Sequence, residues 1–209
     1  EGCVKNNISE DAANSIFDDM VSFASYAFNK SHAACYSWVA YQTAYLKAHY
    51  TPEFMAALLT RRRNDIKEVT KLLDECHALK IEVLGPDVNE SRAEFGVNAK
   101  QQIRFGLNAI KGFGESAGEA IVEEREKNGP FKSIYDFVER VPMSAIKRSG
   151  LECLALCGAF DSFSDEITRE QFLASVSKDE VFLDLLVRYG NRYQQDKAQN
   201  TMTLFGDMN

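Results

Sequence analysis

The sequence predicts a mostly α fold in which a small β element separates two groups of helices, and three observations predict it. Apolar residues recur at helical spacing over residues 9–79. Over residues 81–105 the pattern gives way to short runs of β-branched and aromatic residues, parted by Gly85-Pro86 and by the polar turn Asn98-Ala99-Lys100. From Leu107 the helical spacing returns, broken by Gly129-Pro130, by Pro142 and by Gly158.

Ser9 suits the N-cap of the first helix, because its hydroxyl can accept an orphan amide and the acids Glu10 and Asp11 follow where the helix dipole favours them. Ile16, Phe17, Met20, Val21, Phe23 and Ala24 give this helix, residues 9–27, a broad apolar face. Ser31 can cap a second helix running to about Tyr50. Its Trp38, Val39, Tyr41, Tyr45 and Leu46 lie nearly all round, which predicts burial on more than one side. Thr51-Pro52 reads as an N-cap with proline at the first helical position, starting a helix through Leu59. Asn64 and Asp65 open another, with Ile66, Val69, Leu72, Leu73, Cys76 and Leu79 on one stripe. Residues 81–84 then read as a short strand, and 94–97 with 102–105 as a hairpin. Further on, Ser133 caps a helix to about Glu139, and a helix over residues 144–156 stops at Gly158, a good left-handed C-terminal cap. The last helices start at Asp165 or Thr168 and fade near Gln194. The polar stretch 195–209 reads as a flexible C-terminal tail with one apolar knot at Met202, Leu204 and Phe205.

At 209 residues, 45% hydrophobic and 26% charged, the chain is long enough to bury a core as one large domain or two small ones. It contains no run of roughly 18 apolar residues, so no membrane span is expected. It opens at Glu1 with neither an initiator Met nor a signal-peptide pattern, and reads as a cytoplasmic piece of something longer. Cys3, Cys35, Cys76, Cys153 and Cys157 are odd in number and sit in hydrophobic contexts, which fits free thiols in a reducing compartment better than a disulfide framework. A net charge of −7, from 24 basic and 31 acidic side chains, excludes a generic polybasic nucleic-acid binder. Any DNA contact is therefore local and geometric.

Residues 110–121 carry the most informative chemistry. Ile110-Lys111-Gly112-Phe113-Gly114 is followed by Glu115-Ser116-Ala117-Gly118 and then Ile121. An apolar residue, two glycines around another, then a small residue and an apolar one make the pattern of a helix-hairpin-helix. Gly112 and Gly114 permit backbone angles closed to other residues and leave their amides uncovered. Those amides, beside a helix N-terminus, can cradle a DNA phosphate. Phe113 would point inward and pin the hairpin onto Leu107, Ile110 and Ile121, while Gly118 lets helices approach closely. Lys111 adds a charge, and Ser116 and Ala117 complete the face. Such contacts position DNA without reading its sequence. The segment 143–161, pairing helices around Gly158, reads as a second, degenerate copy, so the predicted fold becomes a multi-helix segment, a tandem helix-hairpin-helix and a tail. The plain alternative is a tight turn between two core helices.

A second candidate is Asn29-Lys30-Ser31-His32, where a lysine before a serine-capped helix start assembles dipole, ammonium, hydroxyl and amide donors for an anion. The bland reading is an ordinary N-cap beside a solvated lysine. Arg61-Arg62-Arg63 suits a helix C-terminus. Cys153 with Cys157 and Cys76 with His77 lack the four convergent ligands that zinc needs, and no metal site is expected. No catalytic constellation emerges.

Residues 25–60, SYAFNKSHAACYSWVAYQTAYLKAHYTPEFMAALLT, closely resemble the fingers of the bacterial C-family replicative polymerases, the DNA polymerase III alpha subunits. KIEVLGPDVNESRAEF, IRFGLNAIKGFGESAGEAIVEERE, GPFKSIYDFVERV and LCGAFDSF resemble the succeeding stretches of the same family in the same order. The resemblance covers about residues 1–165. It implies distal fingers over 1–80, a small β element over 81–106, a tandem helix-hairpin-helix gripping duplex primer-template over 107–163, and a helical end with a clamp-binding tail over 164–209. Asn29, Lys30, Ser31 and His32 would then face incoming nucleotide or template phosphates. Thr201, Met202, Leu204 and Phe205 stand where the family carries a peptide for the sliding clamp, with Thr201 in place of the usual Gln. The family's catalytic Mg2+ is held by palm aspartates upstream of this sequence, so the resemblance implies no cofactor and no polymerisation by this piece alone. It also implies other replicase subunits as partners.

A rival reading is a non-catalytic module that binds protein through the same hairpin. The acidic balance supports it. Yet residues 101–150 hold eight basic and seven acidic side chains, so the hairpin segment is close to neutral while the acid lies elsewhere. Salt dependence separates the two readings, since phosphate contacts release counterions.

Overall fold

The computed structural model describes residues 2–25 and 30–206. The chain divides into two compact units, Glu1–His49 and Tyr50–Asn209. In the first, a short helix α1 (Gly2–Lys5) precedes α2 (Glu10–Ser25) and α3 (Lys30–His49). The Ser9 hydroxyl accepts from the Ala12 amide at 3.3 Å, as an N-cap does. The expected burial of the long second helix is not met within this unit. Trp38 on α3 is 62% exposed and Phe17 on α2 is 63% exposed, because no other element of the unit packs over these faces. Ser31 is also not a cap, since α3 begins one residue earlier at Lys30 and places Ser31 inside the first turn.

The second unit holds two cores. Helix α4 (Thr51–Arg62) starts with Tyr50 as its N-cap and Pro52 in its first turn, and runs past the expected end at Leu59. Helix α5 (Ile66–Ala78) is capped by Asp65, whose carboxylate accepts from the amides of Lys67 and Glu68 at 3.1 and 3.3 Å. Three two-residue strands follow: β1 (Val83–Leu84), β2 (Gly96–Val97) and β3 (Ile103–Arg104). β2 and β3 form the expected antiparallel hairpin, while β1 pairs parallel with β3, giving the order β1-β3-β2. Met55, Leu59, Val69, Cys76, Phe95 and Ile103 bury one another in a core shared by both helices and the sheet.

The larger core is built beyond Leu107. A single 3-10 turn (Leu107–Ala109) stands where a helix was expected, and leads to α6 (Glu115–Asn128), α7 (Ile134–Arg140) and α8 (Met143–Cys157). The Ser133 hydroxyl caps α7 through the Asp136 amide at 3.1 Å. Gly158 closes α8 in the left-handed conformation, φ 81° and ψ 20°. After α9 (Arg169–Phe172), a small hairpin of β4 (Ser175–Ser177) and β5 (Glu180–Val181) precedes α10 (Phe182–Gly206). The last helix therefore does not fade near Gln194. Gln194 is a docking residue, donating to the carbonyls of Val138 and Val141 at 2.8 Å each, and no proline or glycine intervenes before Gly206 to break the helix.

The loop between β1 and β2 crosses close to the larger core. Ser91, fully buried, donates to the Phe105 carbonyl at 2.7 Å and accepts from the Asp87 amide at 2.9 Å. Burial pushes the Asp87 carboxyl above the usual carboxylate range, against the hydrogen bond it accepts from the Asn89 amide. Below the unfolded value both states are protonated and burial costs nothing. As pH rises through the folded value the cost appears in full. Asp87→Asn keeps the acceptor oxygen and removes the charge. Its urea midpoint is expected to exceed wild type at about pH 7 and to match it near pH 3.

Candidate nucleic-acid interface

The geometry of residues 107–118 follows from two glycines with different tasks. The 3-10 turn ends at Ile110, whose extended backbone (φ −71°, ψ 122°) launches the hairpin. Gly112 then takes φ +81°, a conformation costly for any side chain, and sits over α8 with an added Cβ 3.5 Å from the Cys153 sulfur. Gly114 is extended (φ −79°, ψ 142°) and is the N-cap of α6, with open space around its missing side chain. Phe113, between them, is 7% exposed and shares the larger core with Leu107, Ile110 and Ile121. Its ring packs on Gly150 of α8, where a Cβ would come within 3.3 Å.

This turn presents donors outward. The Phe113 amide bonds the Ile110 carbonyl at 3.1 Å, and the amides of Ala117 and Gly118 bond the Gly114 carbonyl at 3.1 and 3.2 Å. The amides of Gly112, Gly114, Glu115 and Ser116 find no backbone acceptor among the described residues. Lys111, Gly112, Gly114 and Ser116 are exposed, while Ala117 is buried on the inner side of α6. Four amides without a backbone acceptor at a helix N-terminus, beside an exposed lysine, are the kind of donor set that suits an anion.

Gly118 brings α6 against the 3-10 turn. A Cβ there would lie 2.2 Å from Asn108 Oδ1 and 3.3 Å from the Leu107 side chain. Gly118→Ala is therefore expected to destabilise by about 1–3 kcal/mol in urea unfolding, whereas Gly114→Ala stays within about 0.5 kcal/mol of wild type.

Sequence reasoning missed one neighbour. Arg63, at the C-cap of α4, forms an ion pair with Glu115 in the first turn of α6. The residue is 52 positions away in sequence, and only its place in an arginine run signalled it. Arg63 thereby neutralises the carboxylate in the first turn of α6.

Within residues 101–150 the basic side chains are sorted by residue type. Arg104 pairs with Glu90; Arg140 with Glu124 and Asp136; Arg148 with Asp184 and Glu152; and Arg125 donates to the Val88 carbonyl at 2.8 Å. Lys111, Lys127, Lys132 and Lys147 are exposed without an ion pair among the described residues. The arginines thus hold the fold together and the lysines remain available to a polyanion.

Gly158, on which the expected second copy centres, is the left-handed C-cap of α8 and precedes the 3-10 turn Asp161–Phe163. Lys147, with φ 57° and ψ 170°, interrupts α8 and splits it into two helices. Lys147 is thus a single residue at positive φ inside the helix, and its side chain is exposed. Lys30, Ser31 and His32 lie exposed in the first turn of α3, with His32 against the Tyr36 ring at 4.4 Å, and Asn29 lies outside the described residues. Thr201, Met202, Leu204 and Phe205 fall in the last turns of α10. Burial pushes the Cys157 thiol up, consistent with a packed side chain. Among the described residues no group of three or more His, Cys, Asp or Glu side chains is placed to hold a metal, and no helix is long and apolar enough to cross a membrane.

A family model described as Helix-hairpin-helix motif matches residues 80–172, the stretch from the sheet through α9. Over 207 residues, 99% of this chain, the sequence is 44% identical to the DNA polymerase III subunit alpha of Thermus aquaticus. This chain is a segment of the DNA polymerase III alpha-subunit family. It is 52% identical over 158 residues (76% of the chain) to the Chlamydia trachomatis subunit and 42% identical over 182 residues (85%) to that of Pseudomonas aeruginosa. The match covers 16%, 13% and 16% of these three relatives, so the chain spans a small part of the length of the alpha subunits it resembles.

Proposed function

We propose that this segment holds duplex primer-template DNA by its phosphates within a longer alpha subunit that carries out template-directed DNA synthesis. The observation that carries the reading is the set of free amides at Gly112, Gly114, Glu115 and Ser116, with Lys111 beside them. On this reading Gly112 supplies the turn, Phe113 anchors it, Ser116 adds a hydroxyl donor and Ala117 keeps the inner face packed. Residues 1–80 serve as distal fingers, with Asn29, Lys30, Ser31 and His32 toward nucleotide or template phosphates. The β element at 81–106 leads into the helix-hairpin-helix at 107–163. The last part, 164–209, ends in a clamp-binding segment at Thr201, Met202, Leu204 and Phe205, which would have to leave the helix to bind as an extended peptide. Catalytic Mg2+ belongs with the palm of the longer protein.

The test is duplex binding by fluorescence anisotropy, comparing wild type with Lys111→Gln/Gly114→Ala. Both sites are exposed and sterically open, so the fold is kept. The double variant is expected to bind about tenfold more weakly or worse, with unchanged helix content by circular dichroism. Equal affinity of the two proteins would reject the hairpin as the phosphate cradle.

A further inference from the structure

The small sheet lines a polar groove. The groove, of about 720 Å³, is floored by Leu84, Gly96 and Val97 and walled by Arg92, Arg104 and the 98–102 turn with Lys100 at its tip. The turn is rigid: Asn98 Oδ1 accepts from the amides of Lys100 and Gln102 at 2.9 and 3.0 Å, and its Nδ2 donates to Gln102 Oε1 at 2.8 Å. The groove holds three cations and one carboxylate, Glu90. Glu90 pairs with Arg104, while Arg92 and Lys100 are exposed and have no acidic partner among the described residues. Arg104 is held by its second bond to the Gly85 carbonyl at 2.9 Å, yet its Nε is buried without an acceptor. The Arg92 stem lies beside Gly96, an added Cβ there being 3.6 Å from Arg92 Cδ, an ordinary contact.

We infer that this groove binds the sugar-phosphate backbone of nucleic acid, as a contact separate from the hairpin. Two unpaired cations, a fixed guanidinium and an open polar trough suit successive phosphates. Nucleic acid rather than another polyanion is chosen because β3 leads directly into the hairpin, and in that choice the inference rests on the proposed function. From Arg104 to Lys111 the chain spans at most roughly 25 Å. One duplex, rising about 3.4 Å per base pair, reaches both sites within about seven base pairs.

The experiment titrates the full 209-residue chain against a labelled duplex of about 20 base pairs over a range of salt. Arg92→Gln/Lys100→Gln is compared with wild type, with Lys111→Gln/Gly114→Ala, and with a charge-matched control, Lys67→Gln/Lys178→Gln, at two other exposed lysines. The groove variant is expected to lose about tenfold in affinity at low salt and to flatten the salt slope by about 1.8, two contacts' worth, with the control unchanged. A groove variant indistinguishable from wild type, or a control that falls equally, overturns the inference. If the hairpin variant alone weakens binding, the proposed function stands and the groove falls. If the groove variant alone does so, the groove stands and the hairpin falls. Absent binding by wild type rejects both. Labelled poly-glutamate that binds as tightly as DNA, and is lost in the groove variant, makes the groove an acidic-peptide site instead.

Discussion

Phe160→Ala is expected to lower the unfolding free energy of the Tyr50–Asn209 unit by about 3–5 kcal/mol. Phe160 is 2% exposed and stands where three elements meet. Its ring lies edge-on to Phe137 of α7 at 5.1 Å and stacks with Phe172 of α9 at 5.4 Å, and Phe163 follows at 6.3 Å. Truncation removes the ring's transfer free energy and leaves a cavity that rigid helices on three sides cannot close. In a unit of this size the loss corresponds to a fall in melting temperature of roughly 10 °C. Far-UV circular dichroism is the readout, because the single tryptophan, Trp38, sits in the other unit and does not report on this core. Leu156→Ala, at a side chain that is 56% exposed, stays within about 0.5 kcal/mol.

Arg140→Ala is expected to cost about 3 kcal/mol, the scale of breaking a buried ion pair from one side. The guanidinium meets Glu124 at 2.9 Å and Asp136 at 3.0 Å, and donates to the carbonyls of Gly129 and Pro130 at 2.7 and 3.2 Å. It also lies over the Phe131 ring, 4.6 Å from the centroid. It therefore satisfies carbonyls at the C-terminal end of α6 while holding that helix to α7, and its loss strands Glu124, whose side chain is 19% exposed. Arg140→Lys restores only part of the loss in urea unfolding, since one ammonium cannot reproduce the planar fork. Equal stability of the alanine variant and wild type would show that the network contributes nothing net.

The elements legible in the sequence are those with local chemical signals. Ser9, Asp65, Ser133 and Gly158 were readable as caps because each acts on amides or carbonyls within a turn of itself. The β2–β3 pair was readable from its polar turn. Features set by distant partners were not. β1 joins β3 through only two residues in parallel register, and β4–β5 carries too little alternation to show. The single 3-10 turn replaces a helix because Gly106 and Ile110, both extended, leave only three residues between sheet and hairpin. At the site, the glycines and Phe113 were legible because backbone freedom and apolar spacing are sequence properties. The split of α8 at Lys147 was hidden because a lysine at positive φ has no sequence signal, and Arg63 was hidden because its partner Glu115 comes from another helix.

The most direct test of phosphate gripping is the salt dependence of wild-type binding to two duplexes of unrelated sequence. The expected result is equal affinity for both, with log K falling linearly against log salt at a slope of roughly −3 to −5, the release of a few counterions. Binding that ignores salt, or that prefers one sequence strongly, would contradict it.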